Sequence, residues 1–171
     1  MNKKYDMVKI LMILQVFILV GMMITPLKVI ALGETVILST VPYDPKDLFR
    51  GDYVNLEYEI SRIPKYKIRG DKDDLFNHDK VYVKLKNNDG IHEVDYVSVD
   101  KPQGTYLLAD LYHGWHNWED DDNINVSYNI NTFFLEENTG RDLEEKARKG
   151  QLLSEVKVYK NKAVLRNITE K

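Results

Sequence analysis

The chain has 171 residues, a net charge of −3 and no cysteine. Its length suits one domain plus a membrane anchor rather than two domains that each require a core. The acidic balance gives no electrostatic support for a nucleic-acid partner. The absence of cysteine excludes a disulfide framework, a cysteine-ligated metal and a thiol nucleophile.

The first feature along the chain is an apolar run from Ile10 to Ile24, in which Gln15 is the only strongly polar residue. Extended to residues 7–27, the run reaches the ~20 residues that a helix needs to cross a ~30 Å hydrocarbon core. Proline lacks the amide proton that the helical ladder requires, so Thr25-Pro26 is expected to end the helix. The sequence therefore predicts a transmembrane helix that contacts the lipid bilayer through residues 7–27.

Lysines precede this run, and the positive-inside rule then keeps the N-terminus in the cytoplasm. We expect a single-pass protein of the cell membrane, with residues 1–32 as cytoplasmic N-terminus and anchor and residues 33–171 as an extracytoplasmic domain. A cleaved signal peptide is the main alternative, because Val29-Ile30-Ala31 offers permitted residues at the cleavage positions. A buried core helix is a second alternative, although such a helix normally has a polar face.

The body opens with a β-branched run at residues 34–41, which predicts a strand. Pro42 and Pro45 end it, and Asp47 is expected to cap a single helical turn that runs through Arg50. A second strand is predicted at residues 51–60 because apolar and polar side chains alternate there. Its buried face is expected to carry Val54, Leu56, Tyr58 and Ile60.

Residues 61–80 are interpreted as a polar connection. Beyond them, alternating or β-branched segments predict further strands at residues 81–86, 92–99, 105–112, 124–128, 131–135, 155–160 and 163–168. Tight turns are expected at residues 87–90, 101–104 and 161–162. The only helix expected in the body is residues 141–149, because Gly150 stands just past its end. These elements indicate a mainly β fold, an antiparallel sandwich or open barrel with one short helix, preceded by the transmembrane helix.

Three segments resemble the bacterial GDYXXLXY family, which is membrane-anchored and uncharacterised. The signature is met by Gly51, Asp52, Tyr53, Leu56 and Tyr58. The family usually has a lead-in before the signature, and the matching residues here are Pro42, Asp44, Pro45, Lys46, Phe49 and Arg50. A second block runs from residue 128 to residue 144, and a third covers the closing strands at residues 155–165.

The resemblance extends from about Thr35 to Ile168. It implies one N-terminal membrane segment, and a polytopic membrane protein encoded nearby as the partner. The second block departs from the family pattern, because Asn129 and Asn131 stand where a glycine and a glutamate are usual. An asparagine is not a general acid or base at neutral pH, so this departure argues against an enzyme.

The signature residues themselves are interpreted as structural. Gly51 supplies a turn into the strand, Asp52 accepts amide protons from that turn, and Tyr53, Leu56 and Tyr58 pack in the sheet. A ligand-binding or catalytic role for Asp52 together with Arg50 is the alternative.

The stretch His113–Asp122 is the most chemically suggestive part of the sequence. His113 and His116, with the carboxylates that follow, have side chains that bind divalent metals, and the two tryptophans suit sugar stacking or a membrane interface. A solvated loop with one tryptophan folded onto the sheet is the simpler interpretation, since a single His-x-x-His arises often by chance. No metal ligand, cofactor site or catalytic residue is therefore assigned.

A serine–lysine dyad is a further alternative, because membrane-anchored, β-rich peptidases use one. Ser39, Ser61 and Ser98 stand at strand ends, where hydroxyl groups are ordinary. We expect a non-enzymatic extracytoplasmic domain that assists a membrane protein or an envelope assembly. The alternative is an envelope ligand- or metal-binding module that uses the His113–Asp122 loop.

Overall fold

A computed structural model describes residues 3–42, 53–112, 122–134, 149–150 and 152–171. The chain is mainly β, and one long helix precedes it. The helices are α1 (Lys3–Leu32) and α2 (Lys72–Phe76), and 3₁₀ turns occupy Glu59–Ser61 and Lys65–Lys67. The strands are β1 (Glu34–Ser39), β2 (Tyr53–Asn55), β3 (Arg62–Pro64), β4 (Lys80–Asn88), β5 (Ile91–Ser98), β6 (Tyr106–Leu111), β7 (Asn123–Ser127), β8 (Thr132–Phe134), β9 (Leu152–Tyr159) and β10 (Lys162–Glu170).

Helix α1 is long and apolar enough over Met7–Leu32 to cross a membrane. Its large apolar side chains from Met7 to Leu27 lie exposed, which rules out the alternative of a buried core helix. The expectation that Pro26 ends the helix is wrong, because α1 continues through it to Leu32. Pro26 removes one hydrogen bond of the helical ladder, and its ring crowds the preceding turn. Leu27 and Ala31 are nevertheless good helix formers, and Val29 is buried near the end of the helix, which favours continuation.

The strands form three antiparallel sheets, in the orders β1-β9-β10, β2-β8 and β3-β7-β6-β4-β5. The five-stranded sheet is nearly closed. Just beyond β3, Ile68 bridges to Val97 of β5, and the amide of Arg69 donates to the Val97 carbonyl at 2.8 Å. The three-stranded sheet joins the same body where the Ile37 amide of β1 donates to His92 Nδ1 of β5 at 3.2 Å. The predicted fold class, an open antiparallel barrel or sandwich, is confirmed.

One continuous core fills the space between these sheets, and all three contribute to it. The predicted alternation over residues 81–86 is confirmed, because Val81, Val83 and Leu85 are buried. The turn between β4 and β5 is also confirmed: Asp89 and Gly90 have φ of 49° and 92°, the pair of positive values that a two-residue hairpin turn requires. The closing turn falls at Lys160, with φ of 54°, and Asn161, one position earlier than predicted.

Two expectations for the middle of the body are wrong. The strand predicted at residues 51–60 is short, because β2 covers only Tyr53–Asn55 and a 3₁₀ turn begins at Glu59. The connection at residues 61–80 contains β3 and α2, so the body has a helix outside residues 141–149. Asp71 caps α2 by accepting the Asp73 amide at 2.9 Å, and Leu75 of α2 is buried in the core.

Candidate functional site

The second half of the family signature lies in the core. Leu56 and Tyr58 are 3% and 1% exposed. The chain reaches these positions by changing partners: the Leu56 amide donates to the Asn131 carbonyl at 2.7 Å, whereas Tyr58 bridges to Thr40 beyond the end of β1. Their buried side chains agree with the structural interpretation of this part of the signature.

Tyr58 and Tyr128 form a reciprocal pair of hydrogen bonds between the signature and the second family block. The Tyr58 hydroxyl donates to the Ile130 carbonyl at 2.7 Å, and the Tyr128 hydroxyl donates to the Ile60 carbonyl at 2.8 Å. The two rings meet edge to face, with centroids 6.5 Å apart. Each tyrosine thus fixes the backbone beside the other, and we call this arrangement the tyrosine clamp.

Burial controls the protonation of the clamp. It raises the pKa of Tyr58 to about 12, and the Ser154 hydroxyl beside it offsets part of the rise. Burial also raises the pKa of Tyr128 well above its ordinary value. Both hydroxyls therefore remain protonated donors at physiological pH, and neither is suited to act as a base.

The third family block meets the signature region through β9. Thr40 donates both its amide, at 3.1 Å, and its hydroxyl, at 2.9 Å, to the Leu152 carbonyl. A Cβ added to Gly150, whose φ is +63°, would lie 2.7 Å from Pro42 Cδ. Pro42, the first residue of the family lead-in, is thus packed against a glycine that must remain a glycine.

The remaining motif residues are described only in part. Asp44, Pro45, Arg50, Gly51 and Asp52 lie outside the described residues, as do the helical turn predicted at residues 47–50, the helix predicted at residues 141–148 and residues 113–121 of the aromatic loop. Tyr53 is described by its backbone, which pairs with Phe134 of β8. The structural roles expected of Gly51 and Asp52 therefore stay predictions. A ligand-binding or catalytic role for Asp52 with Arg50, and metal binding by the His113–Asp122 loop, stay alternatives.

A cleft with a mixed lining lies beside the clamp. Its polar lining residues are Asn55, Glu57, Ser61, Tyr112, Ser127 and Asn131, and Leu56 and Val126 complete it. Tyr112 immediately precedes the aromatic loop in the chain, so the cleft is adjacent to the point from which that loop departs. Ser61 Oγ and Asn131 Oδ1 are buried and have no hydrogen-bond partner among the described residues. Orphaned polar atoms of this kind suit a hydrogen-bonding ligand or a bound water.

The cleft contains hydrogen-bonding groups. Among the residues that the structure describes, however, no nucleophile there is hydrogen-bonded to a base. Ser61 Oγ has no hydrogen-bond partner in that part of the chain. Ser98, which lies outside the cleft, donates its hydroxyl to the Asp100 carbonyl at 2.6 Å. Within the same part of the chain, no group of three metal-ligating side chains comes together. The sequence did not predict this cleft; its only signal was the departure at Asn131, which the structure places in the lining.

A comparison with protein families returns one match. The family described as "GDYXXLXY protein" matches residues 15–168, which is most of the chain. No curated protein and no solved structure matches. The chain therefore belongs to the GDYXXLXY family, and the resemblance drawn from the motifs is confirmed.

Proposed function

We propose that this member of the GDYXXLXY family is a non-enzymatic accessory protein, held in the membrane by α1, whose extracytoplasmic β domain assists a polytopic membrane protein. The observation that carries the proposal is the combination of a lipid-length apolar helix with a signature whose described side chains serve the core. Signature side chains that pack in the core maintain the shape of the domain. A membrane-anchored domain of fixed shape is better suited to binding a partner than to converting a substrate.

The surface of α1 supports a partner within the membrane. At about 100° per residue, Gln15, Gly21 and Thr25 fall within a ~120° sector of the helix. All other residues from Ile10 to Ile24 are apolar, and the opposite face carries Ile13, Val16 and Val20. Small residues let two helices approach closely, and a side-chain amide in hydrocarbon gains by bonding across an interface. The sector therefore supplies a contact face for another transmembrane helix.

The charge pattern supports the proposed orientation. Lys3, Lys4 and Lys9 stand at the N-terminal end of α1, and the positive-inside rule keeps such residues in the cytoplasm. The body then lies on the extracytoplasmic side, where a chain without cysteine needs no oxidative folding.

Site-directed photocrosslinking in native membranes tests the proposal. A photoreactive residue is placed at Met22, inside the Gln15 sector, and in a matched control at Val20, on the opposite face. We expect a crosslink to one polytopic membrane protein from Met22 and none from Val20. Gln15→Leu should weaken that crosslink by a factor of roughly 3, the scale of one interhelical polar contact. Equal crosslinking from both positions, or recovery of the chain alone, would contradict the proposal.

A further inference from the structure

Helix α1 is joined to the β domain without a flexible linker. Gly33 is the only residue between α1 and β1, and its amide donates to the Val29 carbonyl at 2.9 Å, so the helical ladder runs up to the first strand. A Cβ on Gly33 would lie 2.2 Å from the Val29 oxygen and 3.2 Å from the backbone of Val158. The Lys157 ammonium closes the junction, bonding the Thr35 hydroxyl at 2.7 Å and the Gly33 carbonyl at 3.5 Å.

The rigid junction sets the height of the β domain above the membrane. Lys9 and Lys28 are separated by about 28 Å along the helix at 1.5 Å per residue. This distance matches a hydrocarbon core of ~30 Å, so the two ammonium groups fit its two boundaries. Leu32 lies roughly 6 Å beyond Lys28 by the same rise, within the headgroup layer. The surface of the β domain next to Leu32 is therefore held among lipid headgroups.

That surface contains a cleft, which we call the basal cleft. It opens between the end of α1, the turn before β6 and the turn between β9 and β10, and its principal lining residues are Leu32, Glu34, Lys101, Thr105, Tyr106 and Lys160. Leu32 is 63% exposed, so an apolar side chain continues the lipid-facing helix directly to the cleft.

Ammonium groups outnumber carboxylates at the basal cleft. Lys101 and Lys160 are exposed, and neither pairs with a carboxylate in the described part of the chain. The Lys84 ammonium bonds the Gln103 carbonyl at 2.6 Å and lies 2.7 Å from where a Cβ of Gly104 would be. The opposing charge is Glu34, whose Oε2 accepts the Thr105 hydroxyl at 2.6 Å. Two lysines against one glutamate in the lining leave an excess of positive charge, and Lys84 lies next to the lining at Gln103.

Two tyrosines hold the lysines of the cleft in position. The Lys101 ammonium lies 5.8 Å from the centre of the Tyr106 ring, and the Lys160 ammonium lies 5.6 Å from the centre of the Tyr159 ring. Lys160 also occupies a positive-φ turn position, which fixes its backbone at the rim. Tyrosine and lysine together at the end of a transmembrane helix are typical of the membrane–water interface.

We propose that the basal cleft binds the phosphate of an anionic glycerophospholipid, with Lys101 and Lys160 on the phosphate oxygens and the acyl chains beside the last turn of α1 at Leu32. The headgroup phosphate lies at the height where the junction holds these lysines, and no movement of the domain is required to meet it.

The test uses the full chain in detergent, offered an equimolar mixture of phosphatidylglycerol and phosphatidylcholine, with retained lipid counted by native mass spectrometry. We expect selective retention of phosphatidylglycerol. Each lysine near an anionic lipid is worth a factor of about 5 in affinity, so Lys101→Gln with Lys160→Gln should weaken binding about 25-fold. Lys101→Arg with Lys160→Arg should retain it, and Lys72→Gln, outside the cleft, should leave it unchanged.

Three results would overturn the proposal: equal retention of the two lipids, undiminished retention by the double glutamine variant, or complete displacement by inorganic phosphate in large molar excess. The last result would identify a free-phosphate site, because a lipid is also held by its acyl chains. The same lysine variants should leave the Met22 crosslink of α1 intact, so the lipid site and the proposed membrane partner are tested separately.

Discussion

The tyrosine clamp offers the sharpest test of the structural interpretation of the signature. Tyr58→Phe keeps the ring and its edge-to-face contact with Tyr128 but removes the hydroxyl that bonds the Ile130 carbonyl at 2.7 Å. The carbonyl is left buried without that donor, which costs about 1–3 kcal/mol. For a chain of this size each kcal/mol lowers the Tm by roughly 2–4 °C. We therefore expect a Tm reduction of about 4–8 °C, given the middle of that energy range.

Tyr128→Phe should cost a similar amount, since its hydroxyl bonds the Ile60 carbonyl at 2.8 Å. Because the two hydroxyls brace the same pair of segments, the double variant should differ from the sum of the single variants by about 0.5 kcal/mol or more. The assay is thermal unfolding of the full chain in detergent, followed by near-ultraviolet circular dichroism, which reports the tyrosines rather than α1.

Tyr66→Phe is the matched control, because Tyr66 is 80% exposed. It should unfold like the parent chain. If Tyr58→Phe also unfolds like the parent, the clamp does not stabilise the domain, and the structural interpretation of the signature loses its support.

Three further predictions concern the same domain. The pKa of Tyr58 is about 12 in the fold but about 10 in an unfolded chain. The stability that depends on neutral Tyr58 is therefore present below pH ~10 and lost as the pH rises to ~12. In thermal melts at alkaline pH, Tyr58→Phe should lose less stability over this range than the parent chain. Gly150→Ala should destabilise the chain by more than the ~1 kcal/mol typical of positive-φ strain, because the added methyl group would clash with Pro42. Gly70→Ala is the control: its φ is +106° and nothing lies within 4 Å of the added methyl group, so it should show the backbone strain alone. Saturating zinc should leave the Tm of the full chain unchanged, and an increase would instead support metal binding by the His113–Asp122 loop.

Where a single local rule decides the structure, the sequence predicted it well. The hairpin of β4 and β5 followed from alternation and from Asp89-Gly90, whose positive φ values only a few residues tolerate. A helix long enough to cross a membrane followed from the apolar run, although its C-terminal end did not. These features depend on residues that are close together in the chain, and a sequence shows such residues directly.

The sequence was less informative where contacts between segments far apart in the chain determine the structure. Residues 54–60 alternate between apolar and polar side chains, yet the strand predicted there ends early because the chain leaves β8 and pairs next with Thr40. Pro26 was expected to stop α1, yet packing of Val29 at the junction favours continuation. The basal cleft escaped prediction altogether, since Lys101, Lys160 and Leu32 are far apart in sequence and carry no motif.

The candidate site divides in the same way. Alternation predicted that Leu56 and Tyr58 face the core, and both are buried. The bond from Tyr128 to Ile60 and the placing of Asn131 beside Ser61 arise from contacts between strands that are distant in sequence, and alternation within one segment cannot reveal them.

Transmembrane topology is the central claim, and the lack of cysteine makes it directly measurable. One cysteine is introduced at the exposed Tyr66, or in a second variant at Asn2, and cells stripped of any outer membrane are treated with a membrane-impermeant maleimide. We expect labelling of Tyr66→Cys in intact cells and of Asn2→Cys only after permeabilisation. Labelling of Asn2→Cys in intact cells with protection of Tyr66→Cys, or recovery of the full-length chain in the cytosol, would contradict it.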